Sequence, residues 1–161
     1  MMPWSLGQRK RLALENTILE SYFHRDKVKW INPTDDAQVE VKVACTNDKK
    51  YILRVYLPPD FPNSCPSMVI ISPCGLLKKR NGSLLNCMSG GDHTLSSKDG
   101  YTQICHFRPN LWRDENTIFQ VIMKGLVWLE AYEVHLKTGE TLDTFLQADE
   151  SLLLEGVVNQ L

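Results

Sequence analysis

Pro58, Pro59, Pro62, Pro66 and Pro73, five of the eight prolines in the chain, fall between Leu57 and Cys74. Proline fixes φ and removes a backbone donor, so this stretch is a rigid connection and not a central strand. Before it, Lys27–Asn32 is a brief strand, Val39-Glu-Val-Lys-Val43 alternates apolar and polar, and Tyr51–Leu57 is β-branched and aromatic. Asn47-Asp48 marks a hairpin turn between the last two. After the prolines begin, Ser67-Met-Val-Ile-Ile-Ser72 is a short apolar run suited to burial on both faces. Consecutive strands with no intervening helix predict a four-stranded antiparallel meander, not a doubly wound sheet.

Helices frame the meander and make the fold class α+β. Ser5 followed by Gln8 has the form of a capping box and opens a helix running to about Arg25, with Leu12, Ile18, Leu19, Tyr22 and Phe23 on one face. Ile118, Ile122, Gly125, Leu129, Tyr132 and Leu136 recur at spacings of 4, 3, 4, 3 and 4, an amphipathic helix that Gly139 stops. Thr141–Gln160 suggests one more helix, broken near Ala148. The expected organisation is a single domain over 1–161, with its core at about 5–146 and a helical extension over 147–161. Between Gly75 and Pro109 no period is sustained, and irregular loops of this length are often functional.

Lys and Arg number 18 against 19 Asp and Glu, a formal charge of −1. That balance opposes general nucleic-acid binding, which draws on a basic excess. The total hides a split: residues 1–80 carry 13 basic and 8 acidic side chains, residues 81–161 carry 5 and 11. Such a split fits either two solvated faces or a basic docking surface near the N-terminus. No apolar run approaches the ~20 residues of a membrane span, and Met1 to Gly7 lacks the apolar core of a secretory signal. Neither nucleic acid nor membrane is therefore an expected partner.

Five cysteines, Cys45, Cys65, Cys74, Cys87 and Cys105, are an odd number in a chain with 43% hydrophobic residues. Reduced thiols in a cytoplasmic setting are expected, not a disulfide framework. With His93 they offer soft ligands, but they lack the close pairing of structural zinc sites, so no metal is expected. Phosphate-binding glycine loops and the G-x-S-x-G elbow are absent as well. Cys105 stands apart, late in the long loop within Gly100-Tyr-Thr-Gln-Ile-Cys105-His-Phe-Arg-Pro-Asn110-Leu-Trp112, flanked by His106 and Arg108, with His93 upstream. Cationic neighbours favour a thiolate, although a lone cysteine beside a histidine is common.

The order of elements, together with three motifs, resembles a ubiquitin-conjugating enzyme domain. Tyr51-Ile-Leu-Arg-Val-Tyr-Leu-Pro-Pro-Asp-Phe61-Pro62-Asn-Ser-Cys65-Pro66 is similar to that family's strand and aromatic-Pro-x-x-Pro-Pro signature. Gly100 through Ile104-Cys105 resembles the approach to its catalytic cysteine. Trp112 followed by Thr117-Ile-Phe-Gln-Val121-Ile resembles its tryptophan and next helix. The resemblance implies that Cys105 accepts ubiquitin or a ubiquitin-like protein as a thioester from an activating enzyme, without a cofactor, and passes it to an acceptor. It also implies that Arg9, Lys10 and Arg11 on the first helix help bind an acidic domain of that activating enzyme.

The chain departs from the family in two places. Where the family carries His-Pro-Asn, this chain reads His93-Thr94-Leu95, so the oxyanion asparagine is missing. Loss of one such donor typically costs ~10²–10³ in rate. His93, His106, Asn110 and backbone amides are the candidates for what remains, with His106 adjusting the thiolate or shuttling a proton. Asn63 and Arg113-Asp114 stand where the family presents apolar or Ser-Pro contacts to a ligase, so ordinary ligase docking is not expected. With Trp128-Leu-Glu-Ala-Tyr-Glu133-Val-His-Leu-Lys-Thr-Gly139, these departures also resemble the conjugating-enzyme-like proteins of prokaryotic ubiquitin-like systems. The alternative is a catalytically silent variant of the same fold that binds a ubiquitin-like protein as an adaptor.

Overall fold

A computed structural model describes residues 3–85, 91–106 and 109–146. Cys87, Arg108 and the expected extension over 147–161 lie outside the described residues. The chain is α+β: helix α1 (Leu6–Tyr22), strands β1 (Val28–Ile31), β2 (Gln38–Ala44), β3 (Lys50–Tyr56), β4 (Ser67–Ser72), β5 (Thr94–Lys98) and β6 (Tyr101–Ile104), then helices α2 (Ile118–Thr138) and α3 (Leu142–Leu146). No described helix is long and apolar enough to cross a membrane.

The sheet has six strands in the order β1-β2-β3-β4-β6-β5, every pair antiparallel. This corrects the expected four-stranded sheet, because the long loop contains a hairpin. Asp99 (φ 54) and Gly100 (φ 81) are both left-handed, the backbone that a tight hairpin turn demands. Hydrophobic alternation fails to reveal β5 because Leu95, Ser96 and Ser97 are all exposed on this edge strand, leaving only Thr94 buried.

Val39, Val41 and Val43 of β2, Tyr51, Leu53 and Val55 of β3, and Met68 and Ile70 of β4 form the inner face. Helix α2 lies against it, begun by a capping box between Thr117 and Gln120 and ended by left-handed Gly139. Contact is close at Gly125, where a Cβ would sit 2.8 Å from Leu53 Cδ1 and Met68 Cε. The outer face covers itself. Arg54 bonds Glu40 (2.8 Å) and lies over the rings of Tyr56 and Tyr101, while the Tyr56 hydroxyl donates to Asp99 (2.7 Å). These contacts fasten the β5–β6 hairpin to β3.

Helix α1 starts at the Ser5–Gln8 capping box. The Gln8 amide also donates to the carbonyls of Pro59 (2.8 Å) and Phe61 (3.1 Å), seating the helix on the proline-rich connection. Leu12, Leu19 and Phe23 are buried as expected, but Ile18 is only half-buried and Tyr22 is exposed, stacked on Phe119 at 4.0 Å.

Candidate active site

Cys105 follows β6 directly and is half-buried. Its N–H donates to the His93 carbonyl (2.9 Å), continuing the ladder in which Thr94 opposes Ile104. His93 and Cys105 therefore stand at the two open ends of one hairpin. His93 adopts φ 53, and the segment before it is held on both sides. Trp128 Nε1 of α2 donates to the Asp92 carbonyl (3.0 Å), and the Asp143 N–H of α3 donates to the Gly91 carbonyl (3.1 Å). His93 Nε2 lies 2.7 Å from Asp143 Oδ1.

A second histidine faces a second thiol. His106 Nδ1 lies 3.2 Å from the Ile104 carbonyl. Nε2 lies 3.8 Å from Cys65 Sγ, the same thiol lies 3.4 Å from the Pro66 carbonyl, and that carbonyl also bonds the His106 ring. Burial drives the His106 pKa down and keeps the ring neutral, with Lys124 acting in the same direction against the carbonyls of Ile104 and Pro66. Burial pushes Cys65 up to about 11, reinforced by the nearby Cys105. Cys45 is pushed up to about 12 by burial and then by Glu130 and Glu133. The four described cysteines are free, and Cys74 is exposed.

The remaining expected site residues divide. Arg9 and Lys10 are exposed on the first turns of α1. Arg11 instead turns inward: it bonds Glu15 (2.9 Å) and the carbonyls of Asp114 (2.6 Å) and Asn116 (2.7 Å), and lies over the Phe61 ring. Arg11 is therefore engaged within the fold, with Glu15 as its i,i+4 partner on the same helix. Asn63 and Arg113 are exposed on loops joined by the bond from Trp112 Nε1 to the Pro62 carbonyl (2.8 Å). Arg113 returns its guanidinium to the carbonyls of Asn110 and Trp112.

Among the described residues, no three His, Cys, Asp or Glu side chains gather to hold a metal ion. Sequence reasoning missed Asp143, which only the packing of α3 brings to His93, and missed Cys65 as the neighbour of His106. The Cys65 contact follows from the pairing of β4 with β6, in which Val69 opposes Gln103 and the strand-flanking residues converge. Chemically, the site joins an accessible thiol, an imidazole–carboxylate pair and a neutral imidazole–thiol pair. No protein-family model, curated protein or solved structure matches this chain.

Proposed function

We propose that the chain is a ubiquitin-conjugating-enzyme-like thioester carrier. Cys105 accepts the C-terminal carbonyl of ubiquitin or a ubiquitin-like modifier from an activating enzyme and delivers it to an acceptor nucleophile. The observation that carries this reading is the setting of Cys105: a half-buried thiol at the end of a hairpin whose opposite end is His93. The proline-rich connection lies close by through Cys65 and His106, and Trp112 is bound to the Pro62 carbonyl, so the three motifs of the resemblance share one region.

On this reading Arg9 and Lys10 meet the activating enzyme, and Arg11 keeps the helix seated. The test is incubation of the protein with ATP, an activating enzyme and candidate modifiers. The expected product is a reductant-sensitive adduct on Cys105 that becomes a reductant-stable oxyester in Cys105→Ser. Binding of a modifier without any adduct would favour the adaptor reading.

A further inference from the structure

We infer that Asp143 and His93 form a positioned proton acceptor for transfer from Cys105, Asp143 fixing the ring and His93 Nδ1 taking the proton. The inference rests on the thioester-carrier reading. A carboxylate can only accept from the neutral ring, so the 2.7 Å contact with Asp143 places the imidazole hydrogen on Nε2. Nδ1 is left with a lone pair and engages no described residue. The two side chains are 26% and 33% exposed, so an acceptor can reach the ring without opening the fold.

The backbone supplies the proximity. The His93 carbonyl accepts the Cys105 N–H at 2.9 Å, immediately beyond the Thr94–Ile104 pair, so the two backbones meet at the open end of the hairpin. The bonds from Trp128 to Asp92 and from Asp143 to Gly91 hold this segment, and His93 keeps a left-handed φ that a free chain rarely adopts.

In the transfer step an acceptor amine attacks the thioester carbonyl. A C–N bond forms, the C–S bond breaks, and Cys105 leaves as a thiolate. The proton lost by the amine passes to His93 Nδ1 and then to the Cys105 sulfur, giving an amide and a thiol with no change of oxidation state.

The test separates loading from discharge on the full chain. Asp143→Asn is expected to load Cys105 within about threefold of the wild type and to discharge to free lysine at least about tenfold more slowly. His93→Gln is expected to show the same split, and Asp143→Glu to recover part of the discharge rate. Imidazole ¹⁵N resonances should report the Nε2–H tautomer at His93 in the wild type and a changed tautomer mixture in Asp143→Asn, whether or not a modifier is present. Discharge within about twofold of wild type in a folded Asp143→Asn or His93→Gln variant, or an Nδ1–H tautomer in the wild type, overturns the relay alone. A wild-type chain that never loads Cys105 overturns the thioester reading and the relay with it.

Discussion

The Glu15 carboxylate on α1 accepts the backbone N–H of Ile118 at the start of α2, 2.8 Å away, in a fully buried position. Its other oxygen takes the Arg11 guanidinium at 2.9 Å. One carboxylate thus satisfies an orphan donor at a helix N-terminus and neutralises an arginine that also bridges to the loop before α2.

Truncating Glu15 to Ala leaves Arg11 partly buried without its carboxylate and the buried Ile118 N–H without its acceptor, a change that typically costs about 3 kcal/mol. The expected outcome is a stability loss of that order by urea denaturation, with Arg11→Ala falling in the same direction. Arg9→Ala and Lys10→Ala, whose side chains stand in solvent, should stay within about 0.5 kcal/mol of wild type. A selective loss of activating-enzyme affinity in those two, at unchanged stability, would separate docking from folding within one cluster.

Gly125 is the contact that lets α2 lie on β3 and β4. Alanine is the better helix former by about 1 kcal/mol, so substitution at an exposed helix position would stabilise. Here the added methyl meets Leu53 Cδ1 and the Met68 thioether at 2.8–2.9 Å, and both side chains are fully buried. Overpacking of this kind typically costs about 1–3 kcal/mol. Gly125→Ala should therefore lower the melting temperature, and adding Met68→Val, which opens room at the point of contact, should restore part of it.

Local chemistry announced the elements whose signals are local. The capping box at Ser5, the alternation in β2, the apolar run of β4 and the period of α2 all stand where the sequence predicts them, because each depends on neighbours within a turn or two. The β5–β6 hairpin escaped detection because the core needs little from it: Thr94, Thr102 and Ile104 are buried, while the outward residues carry no apolar alternation. Asp99-Gly100 was its one sequence signal. At the candidate site, the neighbours that Cys105 has in sequence include His106, whereas Asp143 and Cys65 come from distant segments. His106 was expected to serve the Cys105 thiolate, yet its Nε2 faces Cys65.

His106 makes stability depend on pH in a definite direction. Its folded pKa is lowered from 6.5 by burial, so the unfolded chain binds the proton more readily than the native one. Above the unfolded value both states are neutral and the group has no effect. As pH falls through that value toward the depressed folded one, protonation draws the chain toward the unfolded state, and this component of stability is lost. Urea midpoints of the wild type should decline between pH 7.5 and 5.5. His106→Gln should show a shallower decline. Equal slopes would place the pH sensitivity elsewhere.

The thiols should differ in reactivity for the same physical reason. The thiolate is the species that alkylates, and burial holds Cys65 at about 11 and Cys45 at about 12. At pH 8 the thiolate fraction of Cys65 is on the order of 10⁻³ and that of Cys45 on the order of 10⁻⁴. The exposed Cys74 has no such barrier of access. Brief iodoacetamide treatment of the native chain, followed by peptide mass spectrometry, should label Cys74 at least about tenfold faster than Cys65 or Cys45, with those two gaining steeply toward pH 10. His106→Ala removes the ring facing Cys65 and opens its thiol to water, so the Cys65 rate should rise in that variant while that of Cys45, at the far end of β2, stays as it was.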